Sequence, residues 1–226
     1  MDRKEIKSLA KEKIKGNKWN IWWPLLVIGV ITSVLQSVLG GGNLVTFDLS
    51  NISDLNTIDS ATMMSNMTIN YGAQAWNTVI NIVMGIASTA YLKYLLNIVR
   101  HGNAEFNDII DTIKARWLQI LLANILVSVL VGLASLLFVI PGIILGLAYA
   151  MVTYLVVDTD VEAKDALKKS RSMMKGYKWD YFVFNLSFIG WYILVPFTLG
   201  LLLIWLVPYH SAAEALYYDK LKEVNG

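Results

Sequence analysis

Lys15-Gly16-Asn17-Lys18-Trp19-Asn20 (KGNKWN) and Lys175-Gly176-Tyr177-Lys178-Trp179-Asp180 (KGYKWD) are nearly one string written twice. In each, a glycine that frees the backbone precedes a lysine and a tryptophan, and a long apolar run follows. Lysine keeps its charge among lipid headgroups, and tryptophan sits at the membrane–water boundary with its ring partly buried. The pair therefore reads as an entry signal, where chain lying along the interface turns and crosses. A duplicated binding signature is the competing reading, but anchoring needs no ligand.

The composition agrees with a membrane solvent. Hydrophobic residues make up 56% of the 226 positions and charged residues 16%, with eight tryptophans and a mean hydropathy of +0.51. Soluble domains are typically about 45–50% apolar. The absence of cysteine excludes disulfides, thiol catalysis and thiolate metal sites. The first apolar run follows a charged arm and leads into Gly40-Gly41-Gly42-Asn43 without a small-residue cleavage site, so it reads as a retained signal anchor.

A helix crossing hydrocarbon needs about 20 mainly apolar residues. Ile21 to Leu39, Ala75 to Val99 and Trp117 to Val139 meet that length, and shorter runs follow at Ile143 to Val157, Tyr181 to Val195 and Phe197 to Leu206. Turns are expected at Pro141-Gly142 and from Pro196 to Gly200, because both residue types punctuate helices. The expectation is an all-α integral membrane fold of six transmembrane helices in three hairpins, within a single domain over 1–226. With both termini cytoplasmic, all 19 Lys and Arg fall on the inner side, as the positive-inside rule requires. A five-span alternative makes Tyr181 to Tyr209 one helix and places Lys220 and Lys222 outside.

The repeated strings belong to a longer pattern. Ile6, Leu9, Ala10 and Ile14 precede Trp19, and Ala163, Ala166, Leu167, Ser170 and Met174 precede Trp179. A weaker third copy has Phe106, Ile109, Ile110 and Ile113 before Lys114-Ala115-Arg116-Trp117. All follow the spacing of an amphipathic helix. Helix starts are expected at Asp2 with Glu5, at Asn103, and at Thr159 with Glu162. Three repeat units result, about 1–100, 101–158 and 159–226, each an amphipathic cytoplasmic-side helix and a hairpin. Their interfacial anchors are Lys18, Trp19, Arg116, Trp117, Lys178 and Trp179. Gly142, Gly146 and Ala150 recur every four residues and would let a neighbouring helix approach closely.

Residues of the C-terminal half carry a family likeness. Pro141-Gly142-Ile143-Ile144, Ala166-Leu167-Lys168-Lys169-Ser170, Met173 to Trp179, Leu186 to Trp191, Pro208-Tyr209 and Glu214 to Tyr218 resemble the bacterial integral membrane family of domain of unknown function 975. The likeness spans about 140 to 222, and the Lys15-Gly16-Asn17 element also fits. Relatives often carry a second glycine where Leu202 stands here. The resemblance implies a multi-pass plasma-membrane protein without catalytic residues to carry over. Some relatives resemble proteins found near bacteriocin or stress loci, which points towards envelope defence.

Candidate chemistry is sparse. His210 and Glu214 lie four apart on one helix face, as a proton relay or half a metal site would; the alternative is an interfacial histidine with Glu214 solvated or paired to Lys168 or Lys169. Pro208 leaves the carbonyl of Ile204 without its helical donor, a feature that transporters place at substrate sites but that packing also uses. Asn77, Asn81, Asn124 and Asn185 either line a path or bond between helices. The outer loop, about 43–72, holds Asp48, Asp54 and Asp59 and no cation, so it is either a solvated connector or a contact for a cationic peptide. The basic segment Lys164 to Lys178 suits anionic headgroups on the cytoplasmic side. No serine nucleophile motif or phosphate-cradling glycine loop occurs. The expectation is a non-enzymatic envelope protein acting through lipid or a membrane partner, protecting against membrane-active peptides, without cofactor, metal or nucleic acid. A small transporter or channel is the alternative, built on Pro208, Asn81 and Asn185.

Overall fold

The computed structural model describes residues 2–38, 45–47 and 67–225. Among them lie nine α-helices, a short 3-10 turn and a two-stranded ribbon. They divide into two compact units, residues 1–27 with 85–226, and residues 28–84. Five helical segments are long and apolar enough to cross a membrane: Trp19–Val38, Tyr71–His101, Phe106–Leu137, Val139–Asp158 and Lys178–Thr198. Such a chain is a multi-pass membrane protein.

Helix α1 (Arg3–Ile14) starts at Asp2, whose carboxylate accepts the backbone N–H groups of Lys4 at 2.9 Å and Glu5 at 3.3 Å. Glu5 in its first turn and Lys11 and Lys13 in its last complement the helix dipole. After a turn at 15–17, α2 (Lys18–Val38) begins the first apolar segment. In the smaller unit a ribbon pairs β1 (Val45–Phe47) antiparallel with β2 (Met67–Ile69), and most of the expected outer loop, 48–66, lies outside the described residues. Helix α3 (Tyr71–His101) is followed by α4 (Phe106–Leu137).

The third repeat copy differs from the other two here. Phe106 to Ile113 is not a separate helix; α4 runs unbroken through Arg116 and Trp117. The reason is that Lys114, a good helix former, stands three residues before the tryptophan, where Gly16 and Gly176 stand in the other two strings. At the corresponding turn before α8, Gly176 has φ of +87°, a conformation that side chains with a Cβ rarely adopt. Its start also differs from expectation, because Glu105 rather than Asn103 caps α4 and donates its N–H to Asp108 Oδ2 at 3.1 Å.

Extended Phe138 separates α4 from α5 (Val139–Ala148). Pro141 occupies the first turn of α5, where its missing N–H costs nothing. A Cβ on Gly142 would lie 2.0 Å from Ser135 Oγ, and one on Gly146 would lie 3.9 Å from Val131, so α5 runs back along α4 and only glycine fits at 142. Ala150 falls in the break between α5 and α6 (Val152–Asp158), so the expected small-residue stripe reduces to Gly142 and Gly146. Helix α7 (Ala163–Met173) is capped at Glu162 and not at Thr159, which ends α6 instead. Then come α8 (Lys178–Ile193), a 3-10 turn at Pro196–Thr198 and α9 (Leu203–Asn225). Leu199 and Gly200 both have positive φ, so the run Phe197 to Leu206 is shared between this turn and the start of α9.

The core of the larger unit gathers near the charged helix ends. Ile6, Ala10 and Ile14 pack α1 against α9, whose Leu206, Tyr209, Ala212, Ala213, Tyr217 and Leu221 are buried. Tyr91 to Val99 of α3 and Tyr154 to Val157 of α6 complete it. By contrast Leu136 to Ile140 at the α4–α5 tip, and Leu199, are exposed apolar residues. Water tolerates few such patches, whereas lipid solvates them.

Two helix-interior prolines are handled alike. Pro208 frees the carbonyl of Ile204, and the indole N–H of Trp22 donates to it. Pro24, which the sequence reading passes over, frees the carbonyl of Asn20, and the hydroxyl of Tyr94 donates to that one at 2.8 Å. In hydrocarbon an unpaired carbonyl costs several kcal/mol, so each proline fixes a neighbouring aromatic in place.

Candidate functional site

Helix α8 presents Tyr181, Asn185, Phe188 and Tyr192 at helical spacing, and α9 meets them with His210, Glu214 and Tyr217. The imidazole of His210 lies against Phe188, with ring centroids 4.4 Å apart. Its Nε2 is 3.2 Å from Asn185 Oδ1, and its Nδ1 is 3.0 Å from the hydroxyl of Tyr192. Asn185 donates through Nδ2 to the carbonyl of Tyr181 at 3.0 Å, so its Oδ1 is an acceptor. His210 Nε2–H must then donate to it, and Tyr192 donates to an unprotonated Nδ1. The network therefore selects the neutral Nε2–H tautomer. Burial also pushes the imidazole below its ordinary pKa, Glu214 opposes this, and Lys7 reinforces it.

Glu214 does not pair with Lys168 or Lys169 as the sequence alternative has it. Its Oε1 accepts from the hydroxyl of Tyr181 at 3.0 Å and lies 3.8 Å from His210 Nε2. Lys7 of α1 closes the cluster by donating to Ser187 Oγ while its ammonium sits 4.3 Å from the Phe188 ring centroid. Burial and the nearby Lys11 and Arg3 lower the pKa of Lys7. The geometry thus joins His210, Glu214 and Asn185, with Pro208 two residues before His210 in the helix. Asn81 is exposed and lies in the smaller unit. Asn124 bonds across to α3, donating to the Gly85 carbonyl at 3.4 Å and to Thr89 Oγ1 at 3.2 Å.

The anchors fall into two kinds. Trp19, Trp117 and Trp179 are exposed, and Trp179 stacks on Phe182. Lys178 is half-buried beside a basic cleft, while the Lys18 side chain lies outside the described residues. Arg116 does not snorkel to solvent. It binds Asp160 and donates to the Val161 carbonyl at 2.9 Å, which ties α4 to the chain before α7.

A second charged cluster escapes sequence reasoning. Asp158, only 3% exposed at the end of α6, takes a two-pronged guanidinium from Arg100 at 2.5 and 3.0 Å. It also accepts from Lys222 at 2.7 Å and from the Tyr218 hydroxyl at 3.0 Å, and Lys93 lies 3.6 Å away. Arg100 in turn bridges to Asp219. The hub joins the ends of α3, α6 and α9. The signal for it in the sequence is an acid closing an apolar run, beside basic residues for which the positive-inside rule also accounts.

A family model described as Protein of unknown function (DUF975) matches residues 1–145 and 135–225. The chain belongs to this family. The match includes the N-terminal segment and the outer loop as well as the C-terminal half that carries the likeness in sequence. No curated protein and no solved structure matches the chain.

Proposed function

We propose that this family member is a non-enzymatic, multi-pass protein of the bacterial plasma membrane that acts by contact with lipid or a membrane partner and protects the envelope against membrane-active peptides. Both termini are cytoplasmic in this reading, six spans form three hairpins, and the KG-x-KW strings mark where the amphipathic helix of two repeat units gives way to its hairpin. One observation carries the preference for contact over transport. Among the asparagines within the apolar helices, Asn124 is spent on Thr89 and Asn185 on His210 in neighbouring helices, and Asn77 on its own helix at the Ala73 carbonyl. The carbonyls freed by Pro24 and Pro208 are likewise occupied. A permeation path needs groups that exchange partners with a solute.

Deleting and overexpressing the gene tests the role. Resistance to a panel of cationic membrane-active peptides should fall and rise respectively, without a change in solute flux. Unchanged resistance together with substrate-dependent flux would replace the proposal by transport. The chain has no cysteine, so single introduced cysteines test topology directly. A Leu199→Cys variant should react with an impermeant maleimide on intact cells, and a Val224→Cys variant only after lysis; labelling of Val224→Cys on intact cells, with Leu199→Cys unreactive, supports five spans.

A further inference from the structure

The turn that opens α8 shapes a cleft which the His210 and Asp158 clusters do not use. A cavity of about 500 Å³ is lined by Lys168, Arg171, Ser172, Lys175 and Lys178. Four of these five residues are cations, and no carboxylate is among them. The nearest acid along α7, Asp165, pairs with Lys168 at 3.2 Å. Helix α7 cannot roll to hide this face, because Ala163, Ala166, Ser170 and Met173 are buried on the other side and Ser170 Oγ donates to the Ala148 carbonyl at 2.9 Å. The positive φ of Gly176 brings Lys175 and Lys178 round to the same cleft.

A separate observation says what would fill it. From Lys178 the same face of α8 continues through Phe182, Leu186, Ile189 and Ile193, spaced by three or four residues, and the last three are 47%, 49% and 61% exposed. Exposed Trp179 marks the membrane boundary at the start of that stripe. A cationic cleft at headgroup depth, opening onto an apolar track along a membrane helix, matches a molecule with a phosphodiester head and acyl tails. We infer that this is a binding site for one anionic glycerophospholipid, its phosphate among Lys168, Arg171, Lys175 and Lys178 and Ser172, and its chains along Phe182 to Ile193. The inference rests on the lipid-contact reading above and gives it a location.

The test uses the full-length protein, delipidated in detergent and titrated by native mass spectrometry with phosphatidylglycerol, phosphatidylcholine and glycerol 3-phosphate. Phosphatidylglycerol should bind with defined stoichiometry and at least about tenfold more tightly than phosphatidylcholine, since a surface cation contributes about fivefold near an anionic headgroup. Glycerol 3-phosphate should bind far more weakly, because it lacks chains for the stripe. The variant K168Q/R171Q/K175Q/K178Q should lose the preference. The control K13Q/K15Q/K164Q/K169Q removes equal charge from exposed positions outside the cleft and should keep it. Equal loss in both variants would overturn the site in favour of diffuse attraction, and equal binding of glycerol 3-phosphate would make it a free-phosphate site. Unfolding temperatures of the two variants matched to the parent exclude misfolding; if the cleft variant unfolds, Leu186→Asn replaces it, and undiminished phosphatidylglycerol binding by that variant overturns the site. A protein that retains the lipid preference yet confers no peptide resistance leaves the site standing and the proposed role fallen.

Discussion

Helix α9 carries charge to two places built on opposite rules. Towards its end, Tyr218, Asp219 and Lys222 join the Asp158 hub, where a nearly inaccessible carboxylate meets Arg100, Lys222 and Lys93. About two turns earlier, His210 and Glu214 meet Asn185, Tyr181 and Tyr192, a set held by hydroxyls and an amide. The first cluster has opposite charges in contact and no capacity to spare. The second is built around a neutral imidazole and can change its protonation state. The hub is therefore a fastener for three helix ends, and the His210 set is the place where the surroundings can act on the fold.

The strongest way to break this comparison is to remove one charge from each side. Removing one partner of a buried ion pair typically costs about 3–5 kcal/mol, because the other charge is left uncompensated. Asp158→Asn should lower stability in detergent by about that amount, whereas His210→Gln should lower it by only about 1 kcal/mol, the worth of an ordinary hydrogen bond. Equal losses in thermal or denaturant unfolding would show that the two clusters are not different in kind. Arg100→Lys sharpens the point. It keeps the charge but loses the planar fork that reaches Asp158 and Asp219 together, and a loss of about 1–3 kcal/mol is expected, the usual worth of a charge-assisted bond. A comparable effect tests what supports the His210 end of α9. Trp22→Phe removes the donor to the Ile204 carbonyl, and about 1–3 kcal/mol is expected because that acceptor is left unpaired. The Asp158 hub should be unaffected, so Trp22→Phe and Asp158→Asn should be additive in a double variant.

The two clusters were unequally legible in the sequence. His210 and Glu214 are one helical turn apart, so spacing alone puts them on one face, and the proline before them is an obvious break in the ladder. Asp158 has partners in α3 and α9, far from it along the chain. Local periodicity cannot see such pairing, and membrane orientation by itself accounts for every basic residue. The same limit hid Tyr94 behind Pro24. The length of α4 is readable in principle, since Lys114 lacks the freedom of Gly176 at the same distance from the tryptophan, but the likeness of Lys114-Ala115-Arg116-Trp117 to the other two strings outweighs one residue. Glu214 shows the opposite failure. Charge matching points to Lys168, Lys169 or solvent as its partner, whereas the hydroxyl of Tyr181 fills the place.

The smallest expected effect is also the one that separates the clusters most cleanly. His210 is held below the ordinary histidine pKa by burial, with Glu214 opposing and Lys7 assisting. The groups facing the ring from packed elements are Tyr181 and Tyr192 of α8, Glu214 of α9 and Lys7 of α1. A base whose folded pKa is lowered binds fewer protons folded than unfolded, so stability rises with pH across the interval between the two values. The contribution is complete above the unfolded histidine value of about 6.5 and is lost as pH falls from there towards the lowered folded value. Protonation puts a second proton on Nδ1, which must then give up the bond donated by Tyr192, and the new cation is drawn towards Glu214 at 3.8 Å. Unfolding midpoints measured in detergent between pH 7.5 and pH 5 should therefore decline for the parent, and the decline should be shallower for His210→Gln. Tyr192→Phe should also make it shallower, because that variant removes the donor which favours the neutral ring. If His210→Gln follows the parent curve throughout, the imidazole is a packing group like its neighbour Phe188, and the contrast between fastener and responsive cluster disappears.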